Sequence, residues 1–474
     1  MNEQRQHASA HLLPHFTKGA AWRKADMPII EHGEGCYVYD TDGVRYLDGL
    51  AGLFCTNLGH GRSDLTAAAA KQMDKLAFYP NWGTAHPSAI EAASMIAERF
   101  PGELDEVFFV NSGSEAVESA LKFARAYHVA RGDVGRHKVI AREWAYHGTT
   151  LGALTVTGIP KFRKHFEPML WDGVHHVRNT YGDSVPDGTP ASQLESVKAI
   201  EAKILDEGPE TVALVVAEPV QNGRGAVVPP PGYWQELRRI CDRYGVLLQA
   251  DEVINAFGRL GHWTGSERFD VVPDIISFAK GVTSAYQPLG GIAVRSPLVE
   301  QIWDSELGAY MHGSTFGGHP VATAVAVATI EALENEDVLD NVLAHQDLLR
   351  GRLTDLMGAH ACVKEVRGCG YFYAIELMAD RHTGRELDDA QVTDLQGGTL
   401  GRFVQDARIL VRPDDRGATM LTISPPLVAG PDVIEDLAHR VDDVLTMTDD
   451  HLAGRRSGRG EPDEHRSAAA DPRR

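Results

Sequence analysis

The fold is decided by residues 271–291, VVPDIISFAKGVTSAYQPLGG. The mostly apolar run from Ile275 to Ala279 predicts a short buried strand, and Lys280 follows at its carboxyl end. In open α/β sheets, ligands bind beyond the carboxyl ends of the strands. A lysine held there among apolar groups has a lowered pKa and becomes a usable nucleophile. A lone lysine at a strand end is more often an ordinary surface residue, so the interpretation depends on residues upstream.

A second apolar run, GVLLQAD (residues 245–251), ends in Asp251. Neighbouring strands that end in Asp251 and Lys280 would place a carboxylate and an amine on opposite sides of one small ligand. Pyridoxal phosphate (PLP) requires this pair, because a lysine forms a Schiff base with its aldehyde while a carboxylate keeps the pyridine nitrogen protonated. Taken alone, Asp251 could equally be a helix cap or a salt-bridge partner.

A third signal lies in EVFFVNSGSEAVESALKFARAYHVARG, residues 106–132. A strand is predicted to run into Ser112, Gly113 and Ser114, and a helix is predicted to follow. Gly113 lets the backbone approach a ligand closely, and the free N–H groups of Ser114 and Glu115 are expected to point outward at the positive end of the helix dipole and attract phosphate. A capping box of Ser112 with Glu115 would also explain the pattern. The order of the three signals along the chain therefore carries the prediction of a PLP site.

Several longer motifs resemble those of the class III aminotransferases. They are NSGSEA, WAYHGTTLGA, AEPVQNGRGAVVPPPGYW, DEVINAFGRLG, SFAKGVTSAYQPLGG and HGSTFGGHPVA. They occur in sequence order and span roughly Gly33 to Leu427, close to the whole chain. The resemblance implies an α/β fold of the PLP-dependent transferase fold type I. Its large domain would contain a mostly parallel seven-stranded sheet, accompanied by a smaller α+β domain.

The resemblance also implies roles for single residues, with Lys280 and Asp251 as the catalytic pair. The other cofactor contacts that it implies are Ser112, Gly113, Ser114, Tyr146 stacked on the ring, Val253 on the opposite ring face, Glu218 near the cofactor, and Thr315 reaching the phosphate in a partner subunit. Phe54, Trp82 and Arg412 would line the substrate pocket. Arg412 would bind the carboxylate of a keto acid and swing aside for an uncharged amine.

Local sequence leaves alternatives open for several of these positions. Phe54 could be plain core packing, Arg412 an ordinary surface arginine, and Thr315 a residue of the approach to a helix. We interpret His147 as a hydrogen-bonding neighbour rather than an acid–base group. Glu218 is expected to pair with a substrate-reading arginine.

Composition excludes some classes of partner. The 474 residues include 46 basic and 66 acidic ones, a net charge of −20, which argues against nucleic acid and anionic membranes. The cysteines are scattered without CxxC spacing, so we expect reduced thiols, a cytoplasmic location and no metal site. The sequence starts without a signal-peptide pattern, and its apolar stretches are too short to span a bilayer.

The length of the chain and the changes in composition along it predict a division into four parts. They are residues 1–55, an N-terminal segment that completes the small domain; 56–330, the large PLP-binding domain; 331–450, the C-terminal small domain; and 451–474, a disordered tail. Within the first part, residues 1–30 are expected to pack over a cavity mouth or a partner. Strands alternate with helices from 107 to 279, which predicts right-handed crossovers. Residues 160–195 are expected to be an irregular surface excursion.

We therefore predict a homodimeric transaminase that uses PLP and shares its active sites between subunits. It would move an amino group from a primary amine or ω-amino acid to a keto acid, pyruvate, by ping-pong kinetics. Three alternatives stay open: a decarboxylase or aminomutase on the same fold, a taurine- or diamine-specific transaminase, and a non-catalytic binding protein.

Overall fold

The structure is a computed structural model that describes residues 3–23 and 27–454. The described residues form three sheets. The first contains β1 (Ile30–Glu34), β2 (Tyr37–Asp40) and β3 (Arg45–Leu47). The second contains β4 (Glu106–Val110), β5 (Lys138–Arg142), β6 (Val174–Val177), β7 (Val212–Ala217), β8 (Leu247–Asp251), β9 (Ile275–Phe278) and β10 (Gly290–Val294). The third contains β11 (Val363–Cys369), β12 (Phe372–Leu377), β13 (Arg412–Asp414) and β14 (Met420–Ile423).

The helices flank these sheets. They are α1 (Glu3–His11), α2 (Gly19–Arg23), α3 (Ala51–Phe54), α4 (Ser63–Lys75), α5 (Pro87–Ala97), α6 (Gly113–Ala130), α7 (Leu151–Val156), α8 (Pro160–Arg163), α9 (Glu195–Glu207), α10 (Tyr233–Tyr244), α11 (Gly265–Arg268), α12 (Ser296–Trp303), α13 (Pro320–Asn335), α14 (Val338–Ala359), α15 (Asp389–Asp394), α16 (Leu400–Asp406) and α17 (Pro431–Leu452). Among the described residues, no helix is both long and apolar enough to cross a membrane.

The seven-stranded sheet has the order β4-β10-β9-β8-β7-β5-β6. Only β10 runs antiparallel to its neighbours, which confirms the predicted mostly parallel sheet. Every residue of β7, β8 and β9 is buried, as expected for parallel strands with helices on both faces. Alternate residues of β5 face opposite cores: Ile140 packs on one side, and Val139 and Ala141 on the other. Two buried polar residues, Gln249 and Ser277, lie inside β8 and β9, and the first charged side chains of these two strands come where the strands end, at Asp251 and Lys280.

The four-stranded sheet is antiparallel, with the order β11-β12-β14-β13. Strand β3 joins this part of the molecule, because the N–H of Leu47 donates to Arg408 O at 3.0 Å and the N–H of Leu410 donates to Leu47 O at 2.8 Å. These contacts support the predicted pairing of the N-terminal segment with the C-terminal domain, and the domain boundaries stay predictions.

The structure differs from the prediction at the start of the tail and in residues 160–195. Helix α17 continues to Leu452, past the predicted start of the tail at 451, and residues 455–474 lie outside the described residues. The expectation of irregular structure across 160–195 was wrong in part. Residues 174–177 form β6, which pairs in parallel with β5 at the sheet edge.

Candidate active site

A cavity of about 740 Å³, here called the first cavity, opens where β4, β7, β8 and β9 end. Most of the residues predicted for the site line it: Phe54, Ser112, Gly113, Ser114, Tyr146, Glu218, Asp251, Val253, Lys280 and Arg412. Trp82 and Thr315 do not. The carboxyl ends of parallel strands thus bring together groups that are far apart in the sequence.

Lys280 directly follows Ala279 at the end of the β9 segment and begins a short 3₁₀ turn, Lys280–Thr283. Its φ of +47° is uncommon for a residue other than glycine, so the backbone aims this side chain at some conformational cost. Burial lowers the pKa of Lys280, because the ammonium loses hydration, and this outweighs the effects of Cys55 and Asp251, which raise it. A lysine in this setting is available as an uncharged amine more often than one in water.

Asp251, the last residue of β8, is held in one orientation. One carboxylate oxygen, Oδ2, lies 2.6 Å from His147 Nδ1, and both side chains are buried. The other oxygen, Oδ1, accepts from the Val253 N–H at 3.2 Å and from the Ser277 hydroxyl at 3.1 Å. His147 is therefore the hydrogen-bonding neighbour that we interpreted it to be, and its partner is the predicted catalytic carboxylate.

The start of helix α6 has the features of an anion site. Ser112 Oγ accepts from the Glu115 N–H at 3.3 Å, and Glu115 Oε2 accepts from the Asn111 N–H at 2.6 Å. The N–H groups of Gly113 and Ser114 lie in the first turn, where helix geometry provides no partner within the helix. Gly113 and Ser114 line the cavity at the positive end of an 18-residue helix. The expectation of a free Glu115 N–H was wrong, because the Ser112 side chain takes it.

The walls around this helix start are tightly packed. A Cβ atom at Gly113 would lie 2.7 Å from Val253 Cγ1, so a larger residue would displace the side chain predicted to pack on the ring. Gly148 has a φ of +122°, and a Cβ there would lie 2.9 Å from Ser114 Cα. Both glycines permit a close approach that a side chain would prevent.

Glu218 accepts hydrogen bonds from two loop N–H groups. Its Oε1 accepts from the Tyr146 N–H at 3.2 Å, and its Oε2 accepts from the Asn222 N–H at 2.9 Å. Burial raises the pKa of Glu218, partly offset by the nearby His147 and Arg142. These two loop N–H groups are the hydrogen-bond donors seen at the Glu218 carboxylate in the described structure, and its pairing with a substrate-reading arginine stays a prediction. Its position fixes the loop that carries Tyr146.

The substrate side of the cavity combines aromatic and charged groups. Phe54 is buried and packs edge-on against Phe372 at 5.4 Å between ring centroids, so it serves the core as well as the cavity wall. The guanidinium of Arg412 lies 5.1 Å from the centre of the Phe54 ring. At the mouth, Phe16 from the N-terminal segment packs against Phe162 at 5.1 Å. The expectation that this segment lies over a cavity mouth is confirmed for these described residues.

Trp82 and Thr315 lie elsewhere in the chain. Trp82, 66% exposed, lines a second cavity of about 720 Å³ together with Met311, Gly313 and Ser314. Thr315 follows Ser314 and is exposed. A single chain therefore does not bring these two residues to the first cavity, and their predicted roles depend on a second subunit.

The family is decided by comparison with known proteins. Residues 20–445 match the family model described as Aminotransferase class-III. The chain belongs to the class III aminotransferases. The predicted family and fold class are thus confirmed, and amino transfer between an amine donor and a keto acid is the reaction of this enzyme.

Relatives of this aminotransferase match it over nearly their full length. A probable aminotransferase of Mycobacterium tuberculosis is 43% identical over 440 residues, 92% of this chain and 93% of that protein. A putrescine–pyruvate aminotransferase of Pseudomonas aeruginosa is 36% identical over 439 residues, 90% and 92% of the two chains. The crystal structure of the omega transaminase from Pseudomonas jessenii in complex with PMP has a TM-score of 0.88 at 33% identity. It covers 95% of this chain and 99% of that one.

Sequence reasoning on this aminotransferase missed part of the site. Asn222, Asp414 and Arg416 line the first cavity beside Arg412 and were not predicted. The signal was present in RPDDRG, residues 412–417, where charged residues follow a predicted strand. Strand alternation alone does not say which of these side chains turn inward, so the pattern did not separate them from surface charges.

Proposed function

We propose that this class III aminotransferase holds PLP in the first cavity. We further propose that it moves an amino group from a primary amine or ω-amino acid to pyruvate. The observation that carries the proposal is the convergence of Lys280, Asp251 and the start of α6 in one cavity. Each group matches a different part of the cofactor: the lysine its aldehyde, the aspartate its ring nitrogen and the helix start its phosphate. This combination favours PLP over other classes of ligand.

The residues present fit the proposed cofactor. The N–H groups of Gly113 and Ser114 suit its phosphate, and the Asp251 carboxylate suits a protonated ring nitrogen. Tyr146 and Val253 line the cavity and suit the two ring faces. The comparison with a transaminase solved in complex with PMP supports the same group. When bound, PLP supplies an electron-withdrawing ring that accepts electrons as the substrate carbon loses its proton.

The chain's own residues then divide the work. Lys280 Nζ takes the proton from the substrate carbon that bears nitrogen and returns it on the cofactor side. Its lowered pKa favours the uncharged amine that this step requires. Asp251 keeps the ring nitrogen charged, and His147, 2.6 Å away, keeps that carboxylate oriented. Glu218 holds the N–H of Tyr146 and so positions the ring that stacks on the cofactor.

Arg412 is proposed to recognise the keto acid that accepts the amino group. Its guanidinium lines the cavity above Phe54, where it can bind the carboxylate of a keto acid. Pyruvate as the acceptor is supported by the relative named for putrescine and pyruvate. An uncharged amine would occupy the same space against the Phe54 ring with Arg412 turned aside.

A homodimer is proposed to complete the site. Around the second cavity, Met311 is 90% exposed, Trp82 66% and Ile90 60%, which is an apolar surface typical of a subunit contact. Docking a second copy there would let Thr315 and Trp82 serve the partner's first cavity. A cytoplasmic location is proposed as well, supported by five free cysteines in the described structure.

The test uses purified holoenzyme with 1-phenylethylamine, β-alanine, putrescine or taurine and pyruvate, with alanine as the measured product. Lys280→Ala should lower alanine formation by at least about 10²–10⁴-fold, the range for loss of an acid–base group. The control is Lys198→Ala, an exposed lysine on α9 that pairs with Glu195 on the surface. Wild-type rates in Lys280→Ala would refute the proposal. Consumption of amine without stoichiometric alanine would favour a decarboxylase or aminomutase instead.

A further inference from the structure

Asp414 lies between two arginines at the rim of the first cavity. Arg412 Nη2 donates to Asp414 Oδ2 at 2.9 Å. Arg416 Nε lies 2.8 Å from Oδ1 and 2.9 Å from Oδ2, and its Nη2 donates to Oδ2 as well. Asn222 Oδ1 accepts from both guanidiniums, at 3.2 Å each. The Asp414 carboxylate thus accepts hydrogen bonds from two positively charged guanidiniums.

The two arginines hold Asp414 unequally. Arg416 uses two nitrogens against both carboxylate oxygens, and its side chain is only 6% exposed. Arg412 uses a single nitrogen, its side chain is 25% exposed, and its Nε is buried without a partner among the described residues. Because two-nitrogen contacts of arginine with carboxylate are the stronger kind, Arg416 is the firm partner and Arg412 the releasable one.

The backbone that carries these residues is fixed. The carbonyl of Asp414 accepts from Gln396 Nε2 at 2.9 Å, and the carbonyl of Arg416 accepts from the Arg224 N–H at 2.8 Å. Gly417, with a φ of +96°, packs so closely that a Cβ would lie 2.7 Å from Arg224 Cδ. A change of partner at Asp414 therefore has to come from side-chain rotation rather than from movement of the loop.

We propose that Arg416 is a positioning residue that permanently neutralises Asp414 and thereby leaves the charge of Arg412 free for a substrate carboxylate. The inference rests on the proposed role of Arg412 as reader of the acceptor. It adds that Asp414 would otherwise compete with the substrate for the same guanidinium. Arg416 acts through its contacts with that competitor, while its guanidinium lies 5.9 Å from the centre of the Tyr146 ring.

Charge counting extends the inference to the acceptor class. Two guanidiniums and one carboxylate leave a single positive charge at the rim. The other charged pair lining the cavity, Lys161 and Asp415, has no net charge. One negative charge on the acceptor balances the rim, and a second would be uncompensated. The site therefore favours monocarboxylate keto acids such as pyruvate over dicarboxylates such as 2-oxoglutarate.

The first experiment measures the two half-reactions separately on holoenzyme. In Arg416→Gln, Asp414 captures Arg412, so KM for pyruvate should rise about 10-fold or more, the scale of one charge-assisted hydrogen bond. The half-reaction with 1-phenylethylamine should stay within about twofold, since that donor carries no carboxylate. Arg416→Lys, which keeps the charge, should recover most of the pyruvate affinity. The remote control is Arg352→Gln, which breaks an exposed pair with Glu435.

The second variant separates charge competition from loop support. In the double variant Arg416→Gln with Asp414→Asn, the competing carboxylate is gone, so KM for pyruvate should return to within about threefold of wild type. A double variant as impaired as Arg416→Gln would overturn the inference, since a structural role predicts no rescue. An unchanged KM in Arg416→Gln, alongside a raised KM in Arg412→Ala, would also overturn it and leave the proposed function intact. An unchanged KM in Arg412→Ala would instead refute the role of Arg412 itself.

Discussion

Replacing Gly148 by alanine should weaken cofactor binding, because the added methyl group would collide with Ser114. The added Cβ would lie 2.9 Å from Ser114 Cα, closer than real Cβ contacts, and φ at this position is +122°. The neighbouring Thr149 N–H also donates to Ser114 Oγ at 3.1 Å, so the two segments move together. Relief of the clash therefore displaces Ser114, whose N–H faces the proposed phosphate position.

The magnitude follows from two costs. Holding alanine at a backbone conformation that favours glycine costs about 1–3 kcal/mol. Inserting a methyl group into a packed contact costs about 1–3 kcal/mol more. Backbone strain is present with and without the cofactor, so only the second cost affects PLP binding. At about 1.4 kcal/mol per factor of ten, its lower limit corresponds to about 5-fold in Kd.

The assay is a titration of the apoprotein with PLP, followed by absorbance, with Tm of the apoprotein measured in parallel. We expect Kd for PLP to rise at least about 5-fold in Gly148→Ala because of the clash with Ser114. The control is Gly398→Ala, which has a similar positive φ, +134°, but no atom within 4 Å of the added Cβ. It isolates backbone strain from the clash at Ser114. Equal PLP affinity in the two variants would refute the placement of the phosphate at the start of α6.

Three further outcomes are expected. Asp251→Asn should lower kcat by about 10²–10³-fold with PLP still bound, as measured by single-turnover absorbance, and a wild-type kcat would contradict its electrostatic role. Arg412→Ala should reduce kcat/KM for pyruvate at least about 10-fold more than that for 1-phenylethylamine, whereas equal losses would argue against carboxylate binding there. His360 lies 2.9 Å from both Asp442 and Asp449; burial lowers its pKa, but the two carboxylates outweigh this and raise it. Protonated His360, paired with both carboxylates, should therefore stabilise the fold fully below about pH 6.5 and less as pH rises through the raised pKa. The Tm deficit of His360→Gln should accordingly shrink from about pH 6 to about pH 9.

The central sheet was predictable because its strands are buried on both faces. Runs such as VALVVA and GVLLQAD have no solvent side, so they are mostly apolar, with the buried Gln249 as the exception before Asp251. The carboxyl end of each run is where the parallel topology converges. The positions of Asp251 and Lys280 in one cavity followed from the same rule.

Edge strands were harder to predict, for a physical reason. Strand β6, VHHV, places two histidines between its valines at the edge of the sheet, so neither an apolar run nor a clean alternation marks it. The charged cluster of Asp414 and Arg416 was missed because sequence gives no means of telling an inward ion pair from a surface one. Trp82 and Thr315 raise another difficulty: their proposed site needs a second chain, and neither the sequence pattern nor one subunit contains that geometry.

The most direct test of the account is to find which lysine carries the cofactor. Purified enzyme saturated with PLP is reduced with borohydride, digested and mapped by mass spectrometry, since reduction makes a bond between lysine and the cofactor's aldehyde carbon permanent. The account predicts a phosphopyridoxyl group on the peptide that contains Lys280, removed by prior incubation with amine donor. The same group on any other lysine, or none on a yellow protein, would contradict it.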